Sequence, residues 1–248
     1  MRAEPSGVYL SAIDSERFGF PIARVGWMNP EALPEANRFC RANGVRLLMT
    51  KCNAEATGTI QALEHDGFRF MEAINIYERN VADLAIPADK GEIVVRSATA
   101  DEAEAIAIVG GEAFRGYPSH YRSDPRLDPA KSDDIYVDWV RRSCLSRDVA
   151  DVVLVAELEG DPVGIFTIKR YDPKDADTGL AGVVPRARRH GVLEALILAA
   201  LRWTKAEGAK YLLGLMQMNN IAVLRVTIRL GFFPRSSFFT FHKWFDPE

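Results

Sequence analysis

The sequence predicts an α/β protein, and three observations lead there. Apolar runs of strand length alternate with amphipathic stretches of helix length along most of the chain. A segment of the first half lies without gaps over a segment of the second. The composition, 48% hydrophobic and 26% charged over 248 residues, is that of an ordinary globular protein with a sizeable core.

The repeat aligns residues 41–73 with 205–237. Ala42 meets Ala206, Gly44 meets Gly208, Leu48 meets Leu212, and Gly67-Phe68 meets Gly231-Phe232. Each copy reads as a helix end, a glycine stop, an apolar strand, an amphipathic helix ended by glycine, and a further strand. Upstream, a strand at 18–25 and a helix at 30–43 correspond in type to a strand at 178–184 and a helix at 191–207. Duplication of a β-α-β-α-β unit is the reading.

Between the copies, residues 81–92 are small and polar with Pro87 and Gly91, a linker composition. Glu92–Ser97 then alternates as a strand, and Thr99 with Glu102 forms a capping box opening a helix to about Gly110. The proline-rich, polar stretch 114–130 predicts a loop, followed by a helix over 131–146. Val152–Glu157 and Val163–Arg170 predict a hairpin around Glu159-Gly160-Asp161-Pro162. The remaining elements are a strand at 209–217, a helix at 220–230 and a last strand at 237–244. The division expected is one domain over 1–85 and a second over 92–248.

A net charge of −3 and a pI near 5.9 argue against nucleic acid or an anionic membrane as partner. The longest apolar stretches, such as Val192–Leu201, are too short to span a bilayer. The first residues lack the pattern of a signal peptide. Cys40, Cys52 and Cys144 form no CxxC pair, so neither a disulfide framework nor a metal site is expected. The expectation is a cytoplasmic protein without a metal. No G-x-S-x-G elbow or HExxH pair points to hydrolysis.

The chemistry concentrates where a buried strand meets a long helix, at Val183-Val184-Pro185-Arg186-Ala187-Arg188-Arg189-His190-Gly191-Val192-Leu193. A helix N-terminus offers unpaired N–H groups and a positive dipole end, and adjacent guanidiniums add charge-assisted bonds. That combination suits a pyrophosphate; a solvated basic turn is the plainer alternative.

The order of elements over 92–245 resembles the GNAT (Gcn5-related N-acetyltransferase) superfamily. There a V-x-P-x-x-(Q/R)-x-x-G-x-(G/A) turn cradles the pyrophosphate of acyl-CoA, and the preceding strand hydrogen-bonds the pantetheine. Val183 and Pro185 fill the first positions, Arg188 the Q/R position and Gly191 the first glycine, while Leu193 replaces the second. The family's N-x-x-A-x-x-x-Y-x-x-x-G-F stretch falls on Asn220 through Phe232, with Asn220 on the CoA-contacting asparagine and Thr227 in place of the tyrosine acid. The whole-chain layout is similar to the TDP-fucosamine acetyltransferase subfamily, which acetylates the amine of a nucleotide-linked 4-amino-4,6-dideoxyhexose. The features behind this are Glu16-Arg17-Phe18-Gly19-Phe20, the loop from Ser119 to Tyr136 and Trp139, and the tail from Ser236 to Trp244.

The resemblance implies a GNAT fold, a mixed and mostly antiparallel sheet flanked by helices, behind a truncated GNAT-like domain. It implies acetyl-CoA as co-substrate, bound by Val183, Val184, Arg188, Arg189, His190, Gly191, Val192, Leu193 and Asn220, with backbone N–H groups near Val183 and Val184 polarising the thioester. Candidate catalytic groups are His120, Asp177 and Thr227. Ser119, Tyr121, Arg122, Tyr136 and His242 would line the acceptor site, with Tyr136 equally readable as a core-facing helix residue. Arg115, Arg122 and Arg126 favour an anionic acceptor, a dTDP- or UDP-amino sugar. The first copy has Ala56 opposite Asn220 and Leu63 opposite Thr227, so it should not bind CoA. It would instead wall the acceptor cleft or form a homodimer contact. Alternatives are acetylation of another small-molecule or peptide amine, or acyl-CoA binding without catalysis.

Overall fold

A computed structural model describes residues 7–87 and 91–246. The N-terminal residues read above for a signal sequence, and 88–90 of the linker, lie outside the described residues. In chain order the elements are β1 (Val8–Leu10), α1 (Ala12–Phe18), β2 (Ile22–Trp27), α2 (Leu33–Ala42), β3 (Leu47–Asn53), α3 (Thr57–His65), β4 (Arg69–Asn80), β5 (Ile93–Ser97), α4 (Ala103–Phe114), α5 (His120–Ser123), α6 (Pro129–Leu145), β6 (Val152–Leu158), β7 (Asp161–Arg170), β8 (Asp175–Val183), α7 (Val192–Ala206), β9 (Tyr211–Gln217), α8 (Ile221–Arg229) and β10 (Phe233–Trp244). The chain is α/β with mixed strand pairing and helices flanking the strands. The Thr99–Glu102 capping box is present ahead of α4.

Three local differences from expectation have physical causes. No element was expected ahead of residue 18, where β1 and the short α1 form; Gly19 at φ 82° ends α1, so the strand placed at 18–25 begins only at Ile22. The loop 114–130 contains one helical turn, α5. The last strand starts at Phe233 rather than 237, directly after the left-handed Gly231.

The chain forms two compact units. One comprises Ile76–Tyr117 and Asp133–Arg235; the other comprises the described residues up to Asn75, Pro118–Ser132 and the residues from Ser236 onward. These units do not follow the linear division at the linker. The second takes residues 118–132 and the end of the chain, and the first takes the end of β4. Within the second unit the strand order is β1-β2-β3-β10-β4, with β2 and β3 parallel and β10 antiparallel to β3 from Phe238↔Asn53 to Trp244↔Leu47. Its core gathers Val25, Leu48, Leu63, Phe68 and Phe241 among others. Within the first unit the order is β4-β9-β8-β7-β6-β5.

The repeat holds element by element. Adding 164 converts the bounds of β3, α3 and β4 into those of β9, α8 and β10. The capping bonds repeat as well: Val45 N–H donates to Cys40 and Ala209 N–H to Thr204, while Phe68 N–H donates to Leu63 and Phe232 N–H to Thr227. The offset fails upstream. Residues 28–32 join β2 to α2, whereas the longer 184–191 joins β8 to α7.

In the first unit, α4 and α6 approach closely: a Cβ on Gly110 would meet Val140 at 2.6 Å, and one on Gly111 would meet Val137 at 2.8 Å. A Cβ on Gly182 would meet Phe114 at 2.7 Å and Ala113 at 3.0 Å, so only glycine lets β8 lie this close to α4.

The repeat supplies an internal comparison of stability. Gly67 and Gly231 adopt φ 84° and 78°, so alanine at either costs about 1 kcal/mol. A Cβ at 231 would also sit 3.0 Å from Arg79 Cζ, while that at 67 meets nothing within 4 Å. Gly231→Ala should therefore lower the urea midpoint more than Gly67→Ala.

Candidate active site

The site in the first unit begins where two strands part. Parallel pairing of β8 with β9 covers Asp175↔Tyr211, Ala176↔Leu212 and Asp177↔Leu213, although both strands continue beyond it. The other edge of β8 stays paired with β7 up to Gly164↔Val183. Val184 N–H donates to Val163 at 2.9 Å. In an antiparallel ladder this makes 184/163 a hydrogen-bonded pair and 183/164 a non-bonded one. The N–H and C=O of Val183, and by alternation those of Ala181, therefore face away from β7 toward the gap. The expected pair of N–H donors is corrected accordingly: Val184 is bound within the sheet, and the open donors are Ala181 and Val183.

The turn that follows closes on itself through Arg188. Its Nε donates to the Val183 carbonyl at 3.1 Å, and its Nη2 donates to the Ala113 carbonyl at 3.2 Å, at the end of α4. Arg188 is thus a tether of the turn rather than a free phosphate ligand. Arg186 pairs with Glu112 at 2.8 Å. Arg189 is exposed at φ 71°, a left-handed conformation unusual for a non-glycine residue, and exposed Gly191 follows at φ 82°. No described residue accepts from the N–H of Arg189, His190 or Gly191, and the first N–H groups of α7 have no intrahelical partner. Val192 is a core side chain and Leu193 is half-buried. Such a cradle of backbone donors with one exposed arginine and one exposed histidine fits a phosphate group.

The other predicted residues of this unit divide. Asp177 is buried at the last paired position before the gap, and burial pushes its carboxyl above the ordinary range. Asn220 caps α8, its Oδ1 accepting from Val223 N–H at 3.4 Å. Ala56 ahead of α3 has the same backbone angles, φ −82° and ψ 64° against −83° and 66°, but no side-chain cap. Thr227 is fully buried, and its hydroxyl has no partner among the described residues. That is the position of a packed β-branched residue, not of a proton donor open to a ligand. Tyr136 is also a core residue, stacked on Phe114 at 4.7 Å. An open cleft of about 870 Å³ near Ser143, Asp151 and Trp203 contains none of these residues.

In the second unit, β10 and the 118–132 segment bring together two histidines read separately from sequence. His120 Nδ1 lies 2.9 Å from His242 Nε2, and His242 Nδ1 lies 2.7 Å from Asp124 Oδ2. Trp244 Nε1–H donates to the same Oδ2 at 2.8 Å. Glu72 accepts from His120 N–H at 3.1 Å and from the Thr240 hydroxyl at 3.3 Å. Burial holds both imidazoles below their ordinary value; for His120 the neighbouring His242, Arg24 and Lys51 add to it. Burial raises the Asp124 carboxyl, but bonds from His242, Arg126 N–H and Trp244 outweigh it and keep the group below its usual range.

Three acceptor-site expectations are corrected. Tyr121 is buried, donating to Asp14 Oδ1 at 3.0 Å and bonded by Arg24, which itself pairs with Asp14 at 2.7 Å. It braces the unit instead of meeting a ligand. Arg122 donates to the Pro129 carbonyl at 3.2 Å. Arg126 pairs with Asp246 and lies 4.2 Å over the Trp244 ring, so neither is an uncommitted cation. Ser119 is buried, its hydroxyl without a partner among the described residues. Sequence reasoning missed Asp124 and Glu72 as site members; no spacing rule joins positions 118 apart. Ala181 was recoverable from strand alternation.

Residues 114–232, just under half of the chain, match the sequence model of the Acetyltransferase (GNAT) family. It is 24% identical over 144 residues to the spore coat polysaccharide biosynthesis protein SpsD of Bacillus subtilis (strain 168), covering 58% of this chain. The chain spans about half, 48%, of that relative. Two solved structures share the fold over almost all of the chain. A GCN5-related N-acetyltransferase from Sphaerobacter thermophilus is 15% identical with TM-score 0.68, covering 97% of this chain and 76% of that one. A tandem GNAT protein from the clavulanic acid biosynthesis pathway is 14% identical with TM-score 0.65, covering 92% and 76%. Among the described residues no helix is long and apolar enough to cross a membrane.

Neighbouring arginines should respond oppositely. Arg188→Ala frees two carbonyls and is expected to cost about 1 kcal/mol, whereas Arg189→Gly relieves the left-handed backbone and is expected to stabilise by about 1 kcal/mol. Urea denaturation of both variants reads the signs. The histidines also set a pH dependence. With folded values below 6.5, the unfolded chain binds protons that the folded chain refuses, so stability falls as pH drops below about 6.5 and is flat above it from this source. The melting temperature should fall between pH 6.5 and about 5, and less steeply in His120→Asn.

Proposed function

We propose that the protein is an N-acetyltransferase that moves acetyl from acetyl-CoA to a primary amine, the acceptor being the amino group of a nucleotide-linked amino-deoxy sugar. The observation that supports it best is the parting of β8 from β9 beside the 184–191 turn. It leaves backbone donors of two kinds in one unit. The strand edge at Ala181 and Val183 suits the amides of a pantetheine arm, and the unpaired N–H groups from Arg189 into α7 suit a pyrophosphate. Acetyl-CoA when bound supplies an acyl group activated as a thioester. Arg189 and His190 would add charge and hydrogen bonds at the phosphates, and Arg188 would hold the turn in shape. Val183 N–H, the open donor nearer the turn, would take the pantetheine arm, and Ala181 N–H, farther back along β8, would stabilise the oxyanion that develops on the thioester carbonyl. Asp177, at the last paired position of β8 in the same unit, would take the proton of the acceptor ammonium through a water. Thr227 has no role in this scheme. A thiol has a reference pKa of about 8.5, so a thiolate leaves tolerably without a dedicated acid.

The sugar acceptor draws on the polysaccharide role in the printed name of SpsD and on the whole-chain layout. The local engagement of Arg122 and Arg126 favours a second reading, an amine without a phosphate. One assay separates them: thiol release from acetyl-CoA with a panel of nucleotide amino sugars and phosphate-free amines. Acetyl-CoA at about 100 times its dissociation constant should add about 2.7 kcal/mol of stability, a clear rise in melting temperature. Dephospho-CoA and a Gly191→Val variant serve as controls. A shift with thiol release on nucleotide sugars is expected. A shift without release on any amine would indicate binding without catalysis, and no shift at millimolar ligand would contradict the proposal.

A further inference from the structure

We propose that Thr167 is a positioning residue: its hydroxyl holds an extra residue in β8, and that extra residue is what turns the Ala181 N–H to the gap. The inference stands on β7 and β8 of the first unit alone, and only its consequence for turnover rests on the acetyltransferase reading.

The ladder between these strands is regular at both ends and broken in the middle. Gly164↔Val183, Ile165↔Gly182 and Phe166↔Ala181 are consecutive pairs, and pairing resumes from Ile168↔Thr178 to Arg170↔Ala176. Between them Thr167 stands opposite two residues, Gly179 and Leu180, which makes a β-bulge in β8. Leu180 N–H donates to Thr167 Oγ1 at 2.8 Å, and Thr167 is buried. The hydroxyl reaches this position because residue 179 is glycine. A Cβ there would lie 2.5 Å from Thr167 Oγ1 and 3.7 Å from the Trp139 ring of α6.

One extra residue reverses which donors face which edge. Backbone donors alternate along a strand, so an insertion turns every later N–H to the opposite side. With the bulge, Val184 N–H reaches Val163, and Ala181 and Val183 face the gap. Counted without it from Ile168↔Thr178, Val183 would stand opposite Val163, and the gap would receive Leu180, Gly182 and Val184 instead.

The two ends of β8 are pinned separately, so the extra residue has to be absorbed between them. Upstream, Asp177 is paired with Leu213 of β9. Downstream, Gly182 passes close to Phe114 and Ala113 of α4, where a Cβ would clash. Thr167 absorbs the mismatch by giving the bulged Leu180 N–H a side-chain acceptor. Without that oxygen a buried donor loses its partner directly beside Ala181, and the strand must shift there to regain one. The turn at 184–191 is tethered independently by Arg188, so the loss falls on the donor aimed at the thioester and spares the phosphate end.

The wild-type protein gives the first reading, before any turnover. Nuclear Overhauser spectra should show a cross-strand Hα–Hα contact between Phe166 and Ala181, and the Leu180 amide should exchange slowly although Gly179 beside it is exposed. A contact from Phe166 to Leu180, the regular register, would overturn the proposal. Thr167→Val keeps the shape and removes the acceptor. Leu180 exchange should then quicken about tenfold, and kcat for thiol release should fall about a hundredfold while the dissociation constant for CoA is unchanged. Thr167→Ser, which restores the hydroxyl, should restore both. A loss of folded protein would lower CoA binding with kcat and would not be rescued in this way. Should the valine variant not fold, Gly179→Ala displaces the same hydroxyl from the exposed side and should reproduce the faster exchange and the lower kcat. Wild-type exchange and kcat in the folded variants, or serine as impaired as valine, would contradict the positioning role. Absence of thiol release from the wild type on any amine would count against the acetyltransferase reading and leave the register and exchange results standing.

Discussion

The end of strand pairing between β8 and β9 after Asp177 and Leu213 is the constraint on which the candidate site of the first unit depends. Backbone N–H groups are obligatory donors, and leaving them unpaired in a folded interior is costly. β8 tolerates the separation because its other edge remains bonded to β7 and because Gly182 lets it lie against Phe114 and Ala113 of α4. The outcome is a strand edge whose donors face a gap, followed by a turn whose own donors are open. Arg188 joins these parts by bonding the carbonyl at the end of β8 and the one at the end of α4.

The second copy of the motif shows what that constraint adds. From the end of α2 onward the two copies share boundaries, capping bonds and even the backbone angles ahead of their last helices. They differ where a phosphate would bind. The short 28–32 connection replaces 184–191, and Ala56 stands where Asn220 caps its helix. What packs is alike in the two copies, and what differs is the connection into the first helix and the cap of the second. The first copy contributes other chemistry: its unit encloses the Asp124–His242–His120 chain, built from β10 and the 118–132 segment.

Much of this was legible in the sequence for a simple reason. Helix stops at Gly44, Gly67, Gly208 and Gly231 and the apolar periods between them are local signals, so the repeat and most elements could be read directly. The capping box at Thr99 and Glu102 is of the same kind. What escaped was set by tertiary contacts. Arg188 reads as a phosphate ligand because charge is visible in a sequence, whereas the carbonyl of Ala113 that captures it is not. Tyr121 and Arg126 read as acceptor contacts because their polar side chains sit in a loop, yet Asp14 and Asp246 engage them. Strand direction decides that Val183 and not Val184 presents an open N–H, and no composition argument contains that parity.

The central claim is that the open backbone edge of β8 and the turn beyond it receive acetyl-CoA. Amide hydrogen exchange over residues 178–193, with and without saturating acetyl-CoA, addresses it at the atoms concerned. The account predicts that Ala181, Val183 and the amides from Arg189 to Leu193 exchange readily in the free protein and become protected by the ligand, while Val184 is protected in both. Unchanged exchange at Ala181 and Val183 under conditions where acetyl-CoA raises the melting temperature would place the ligand elsewhere and contradict the account.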